Sequence, residues 1–154
     1  MYTPDHIADF FLINISAEKG DTISPLKLQK LVYYAQAWHY TICDVALFEE
    51  GIEAWMNGPV VPSLFRRFAQ YTKHSAIDIK QQELNVPKFD PKTEQILFEV
   101  LSIYGEHSGA YLEQLTHQEQ PWKEARGILQ PYAKSNAVIS PESMKNYYSR
   151  FLNE

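Results

Sequence analysis

Residues 24–71 hold the feature that most limits what this chain can fold into: one helix that is apolar on two opposite sides. Ser24 is placed to cap it and Pro25 takes the first helical position, where a fixed φ and a missing N–H cost nothing. At 100° per residue, Leu28, Leu31, Val32, Ala35, Trp38, His39 and Ile42 fall on one wide face. Leu26, Tyr33, Ala37 and Tyr40 form a second stripe nearly opposite. Only Gln29 with Gln36, and Lys27 with Lys30, interrupt this pattern as polar wedges. A helix wet on one side has no use for a second stripe, so this one is central. Either the chain's other helices cover both sides, or one side awaits a partner.

Beyond it the period changes. Residues 52–56 alternate apolar and polar, which predicts a short strand, and Asn57-Gly58-Pro59 turns the chain. Val61-Pro62 restarts a helix with Leu64, Phe65, Phe68 and Ala69 on one side and Arg66, Arg67 and Gln70 on the other. Ile77-Asp78-Ile79 is expected as a second strand pairing with residues 52–55.

Further helix starts recur as a capping residue followed by proline. Thr3-Pro4 opens a helix striped with Ile7, Phe10, Phe11 and Ile15, with Asp5 and Asp9 near its positive end, and Glu18 to Asp21 closes it at Gly20. Asp90-Pro91 launches one to Tyr104, stopped by Gly105, and Ser108 caps a short one through Leu115. Pro121-Trp122 opens another to Arg126 or Gly127, and Ser140-Pro141 starts the last, striped with Met144, Tyr147, Tyr148 and Phe151. The fold class expected is mainly α: a single compact domain over residues 1–154, of about six or seven helices, with a small two-stranded β element.

A chain of 154 residues is long enough to bury a core without a staple. The single cysteine, Cys43, excludes an internal disulfide and a cysteine-rich zinc site and suits a reducing cytosol. There is no apolar N-terminal signal and no apolar run approaching a membrane span, so a cytoplasmic protein is expected. A net charge of −5 opposes a broad phosphate-binding surface and suits a basic protein partner. At 14% of the chain, the aromatic residues are numerous enough both to fill a core and to supply binding anchors.

The string from Pro25 to Trp38 (PLKLQKLVYYAQAW), then Ile52-Glu53-Ala54-Trp55 and Gly58-Pro59-Val60-Val61-Pro62, resembles the Panacea domain of SocA-like antitoxins and GepA-like phage-associated proteins. Leu115-Thr116-His117 and Pro121-Trp122 are similar to that family's C-terminal pattern. The resemblance implies the antitoxin of a type II toxin–antitoxin pair, which holds a cognate toxin protein inactive by direct contact. Lys27, Lys30, Tyr34, Trp55, Gly58 and Pro59 are the motif positions it places near the partner site. Trp55 beside a rigid glycine-proline turn makes a ledge suited to an anchor, and plugging into the core is its structural alternative.

The chemistry-bearing motifs are missing: no glycine-rich phosphate loop, no HExxH, no GxSxG elbow. No cofactor and no metal are expected. His39, on the apolar face, is expected to be a hydrogen-bonded core residue, and Glu53 to pair with Lys27 or Lys30. His6 and His74 read as surface residues, and His107 and His117 have no ligand spacing. Two alternatives stand beside the antitoxin: a hydrolase-like enzyme using Glu53 and His39, and an adaptor delivering a bound client to a protease.

Overall fold

The computed structural model describes residues 1–15 and 22–153. The expected closure of the first helix at Gly20 lies outside the described residues. Seven α-helices are present among them: α1 Pro4–Asn14, α2 Pro25–Cys43, α3 Pro62–Arg67, α4 Pro91–Tyr104, α5 Gly109–Gln118, α6 Gln120–Arg126 and α7 Pro141–Tyr148. Two 3-10 turns, η1 Ile79–Gln81 and η2 Ser149–Asn153, and one antiparallel hairpin, β1 Glu53–Trp55 with β2 Gly58–Val60, complete the set. The mainly α class with a small two-stranded element is as the sequence predicts. No helix is long and apolar enough to cross a membrane among the described residues.

The caps form where the sequence puts them. Thr3, Ser24, Asp90, Ser108 and Ser140 each accept a bond from a backbone N–H in the first turn of their helix. At Thr3 the cap is reciprocal, because His6 Nδ1 accepts from the Thr3 N–H at 3.2 Å. His6, read from sequence as a plain surface residue, therefore closes the start of α1.

Helix α2 is the axle. Thirteen of its nineteen residues are buried, and α1, α3, α4, α5, α7 and β2 all pack on it. Both apolar stripes are covered by the chain itself: Leu28, Leu31, Val32 and Ala35 on one side, Leu26, Tyr33 and Ala37 on the other, are each at most 5% exposed. The chain's own elements therefore cover most of both stripes, with Trp38, Tyr40 and Ile42 half-buried and Leu26 lining a groove beside α3.

Of the polar wedges, Gln29, Lys30 and Gln36 are buried and Lys27 is half-buried, and all four bind backbone. Gln29 Oε1 accepts from the Val61 N–H at 2.8 Å while its Nε2 donates to the Val61 carbonyl at 3.1 Å. Two turns later, Gln36 Oε1 accepts from the Leu47 N–H at 2.7 Å and its Nε2 donates to the Phe48 carbonyl at 2.9 Å. Each primary amide offers one acceptor and two donors, so it pairs with an irregular segment much as a neighbouring strand would. Two stretches of non-helical chain thus lie against a helix without orphaned polar groups.

The expected strand at residues 77–79 is corrected. Alternation over three residues carried too little information, and Asp78 caps η1 instead, accepting from the Lys80 N–H at 3.0 Å. Hairpin β1 pairs with the segment just after its own turn, in the register Glu53↔Val60, Ala54↔Pro59, Trp55↔Gly58. Its free edge is taken by residues 137–139, where Ala54 N–H donates to the Ala137 carbonyl and Ile139 N–H to the Ile52 carbonyl, both at 2.8 Å. Asp9, expected as a dipole partner, is buried and held at 2.7 Å by Arg67, which also pairs with Asp5 at 2.9 Å and so ties α3 to α1.

Replacing Gln29 by alanine strips the fully buried Val61 N–H of its partner, while the Val61 carbonyl keeps the N–H groups of Leu64 and Phe65. The expected cost is about 1–3 kcal/mol, read as a lower urea midpoint with an unchanged slope.

Candidate functional site

Four separated sequence segments meet at the hairpin: the start of α2, the hairpin itself, the end of α5 and the start of α6. Met56 and Asn57 form the two-residue turn, and Gly58 takes φ +104°, a conformation side chains resist. Space excludes a side chain there as well, since a Cβ on Gly58 would lie 2.7 Å from Lys30 Cε and 3.0 Å from Thr116 Oγ1. The backbone of the hairpin is held from α6. Trp122 Nε1 donates to the Trp55 carbonyl at 2.8 Å and Arg126 to the Ala54 carbonyl at 2.9 Å, while the Arg126 guanidinium lies over the Trp122 ring. The other guanidinium nitrogen of Arg126 donates to the carbonyls of Gln130 and Ala133, fixing the loop that follows α6.

Lys30 sits beneath the hairpin with no exposed surface and donates to the Pro59 carbonyl at 3.1 Å. Burial pulls its pKa from 10.5 down to about 7, opposed by Glu113 and reinforced by Lys73. Beside it His117 stacks on Trp122 at 4.1 Å, and its Nε2 is buried without a hydrogen-bond partner among the described residues. Burial holds that imidazole below its ordinary pKa.

Behind this lies a second polar cluster, in which Tyr34 and Tyr148 both donate to Glu119 Oε1 at 2.8 Å. Tyr33 Oη and Tyr148 Oη are 3.0 Å apart, Tyr34 stacks on Tyr104 at 3.9 Å, and Trp38 Nε1 donates to Tyr104 Oη at 2.9 Å. Burial pushes the Glu119 carboxyl up, and the two phenol bonds pull it partly back. Burial likewise drives the phenols of Tyr33, Tyr34 and Tyr148 well above their usual range, so they serve as neutral donors.

Between α2, the hairpin and α3 a groove opens to solvent, enclosing about 160 Å³. Leu26, Leu64, Phe65 and Phe68 form its walls, with Trp55 and Asn57 at one end and Lys73 at the other. The Trp55 ring meets Phe65 edge to face at 5.0 Å, and Phe65 and Met56 are 53% and 42% exposed. An apolar surface of this kind, rimmed by polar groups, is what an interaction site looks like.

The six residues taken from the motif separate accordingly. Lys30, Gly58 and Pro59 are brought together and buried, and Trp55 is half-buried on the groove. Lys27 donates to the Gly105 carbonyl at the end of α4, where the helix dipole welcomes a cation. Tyr34 is fully buried in the Glu119 cluster. The expected pairing of Glu53 with Lys27 or Lys30 is corrected: Glu53 accepts from its neighbour Trp55 Nε1 at 2.8 Å, which keeps the indole in place on the ledge.

His39 is the core residue expected, with Nδ1 bonded to the Val45 carbonyl at 2.6 Å and Nε2 to Thr93 Oγ1 at 2.9 Å. It shares no hydrogen bond with Glu53 among the described residues. No group of three metal-ligating side chains occurs among those residues either.

The model of one protein family, described as Antitoxin SocA-like, Panacea domain, matches residues 28–123, from the first turns of α2 to the middle of α6. The chain belongs to that family. No curated protein and no solved structure matches it. The family is one of antitoxins, so membership supports an antitoxin role and implies a partner protein. Three of the four groove walls (Leu64, Phe65 and Phe68), the whole hairpin, and both Glu119 and Trp122 lie within the matched span of this Panacea domain.

Sequence reasoning missed Glu119 and Arg126. Nothing local marks a glutamate just ahead of Gln120-Pro121 as the acceptor for two tyrosines from distant helices. For Lys30 the signal was present, because it lies between Gln29 and Leu31 on a helix with apolar residues all round.

The unfolded chain binds a proton at Lys30 more tightly than the folded one between pH 7 and 10.5. The penalty is fully present below pH 7 and fades as pH rises, so stability should climb from pH 7 toward about pH 10, where tyrosines begin to titrate. Lys30→Met should flatten that climb, worth at most a few kcal/mol, in chemical denaturation followed across the range.

Proposed function

We propose that this chain is the antitoxin of a type II toxin–antitoxin pair and neutralises its toxin by direct protein–protein contact in the cytosol. The observation that carries the reading is the solvent-open groove with Trp55, Asn57 and Phe65 at its edge, built largely from the segment that matches the antitoxin family. Large side chains there are already ordered before a partner arrives. Trp55 is braced by Glu53 and Phe65, and the hairpin behind it by Trp122 and Arg126, so little conformational entropy remains to be lost on association.

In this reading the motif residues divide by task. Trp55 touches the toxin. Lys30, Gly58 and Pro59 hold the ledge from beneath, Lys27 joins α2 to α4, and Tyr34 fixes the core behind it. The family pattern is then chiefly a pattern of residues that shape the surface, with exposed neighbours such as Phe65 free to adapt to a particular toxin.

Co-expression with the toxic product of the adjacent reading frame should restore growth and yield a stoichiometric complex. Phe65→Ser removes an exposed anchor and should weaken that complex by about 2 kcal/mol, roughly thirtyfold. The melting temperature of the free protein should fall by only a few degrees, about 1 kcal/mol for the lost Trp55 contact, because Phe65 is 53% exposed. Full rescue and unchanged affinity in Phe65→Ser would place the contact elsewhere, and failure of the wild-type chain to rescue would refute the antitoxin reading.

A further inference from the structure

The groove is apolar in its walls but cationic in its charge. Lys73 stands exposed at one end and Lys30 lies at the floor, and no carboxylate is among the residues that line it. Gln29 also lines it, but both ends of its amide are engaged by Val61. Lys30 is different. An ammonium has three N–H bonds to place, and Lys30 makes one hydrogen bond, to the Pro59 carbonyl, among the described residues. A fully buried cation so thinly satisfied is costly and draws an anion toward it.

We propose that the groove receives a toxin segment in which an apolar side chain stands beside a carboxylate, the apolar group entering between Phe65, Leu64 and Phe68 and the carboxylate meeting the exposed Lys73, in the field of the buried Lys30 ammonium behind it. This rests on the antitoxin reading above and names the chemistry of the partner. The space of about 160 Å³ suits one large aliphatic or aromatic side chain rather than a whole helix. The net charge of −5 acts at longer range and favours a partner that is basic as a whole, whereas the two lysines decide what enters locally.

Proton uptake supports the assignment. Lys30 is faced by Glu113 and His117 from α5 and by Lys73 from the segment after α3, and burial holds it near 7. A carboxylate beside it raises that value, so the complex holds a proton the free protein has released. Affinity then falls as pH rises from about 7 toward 9, by up to about tenfold per unit.

The test titrates the full chain with three synthetic peptides sharing a Leu-Phe core and flanked by Glu, Gln or Lys, followed through the Trp55 indole and Ala69 amide resonances. The Glu peptide should bind at least about tenfold more tightly than the Gln peptide near pH 6.5, with the advantage shrinking near pH 9. Lys73→Met, an exposed change that leaves folding alone, should reduce the discrimination, and Lys30→Met should remove its pH dependence. Equal binding of the three peptides, preference for the Lys peptide, no binding, or shifts remote from Trp55 would each overturn the inference. Ala69→Trp, which fills the groove from its exposed rim, separates the two claims. If that variant still rescues growth as the wild type does, the groove assignment fails while the antitoxin reading stands.

Discussion

Two glutamine side chains seven residues apart on one helix make the rest of this fold possible. A helix buried on all sides ordinarily has to be surrounded by elements that satisfy their own backbone, which means other helices. Gln29 and Gln36 lift that restriction by giving Val61, Leu47 and Phe48 the partners a neighbouring strand would give. Without them the Val61 N–H and the Leu47–Phe48 backbone on either side of the hairpin would lie in water or unpaired in the core. With them a small irregular surface is set rigidly on a helical body.

That body is anchored by contacts far apart in sequence. Arg67 draws α3 onto α1 through Asp5 and Asp9, the Glu119 carboxylate gathers phenols from α2 and α7, and Arg126 spans the hairpin and the loop after α6. Each is a charged group given hydrogen-bond partners where water is scarce, which makes geometry stringent even where the net energetic gain is small. The groove inherits its shape from these fixings, since α3 supplies one wall and the hairpin one end.

The helices were legible because their signals are local. Ser24-Pro25, Asp90-Pro91 and Ser140-Pro141 fix starting points by backbone geometry alone, and the double stripe on residues 25–42 said correctly that this helix lies at the centre. What sequence could not tell was the use of the polar residues. Gln29 and Gln36 looked like gaps in an apolar pattern because their partners are backbone groups, which any residue carries. Glu53 looked like a partner for lysine because charge suggested it, and geometry gave it the indole two residues on. Residues 77–79 looked like a strand because three alternating residues fit a strand as well as a turn. Within the proposed site, Trp55 and the Gly58-Pro59 turn were visible as a motif, while Leu64, Phe65 and Phe68 were visible only as one side of a helix, with nothing to show that the side faces a groove.

The bracing of the hairpin has a temporal side. Its turn is local, yet the carbonyls of Ala54 and Trp55 are held by Arg126 and Trp122, and the outer edge of β1 is paired by residues 137–139. A chain emerging from the ribosome would therefore carry the ledge with a bare strand edge and no brace behind the indole until residues 122–139 had followed it. Competence to bind would come late and abruptly, and a product cut short before residue 139 would display the ledge without its support.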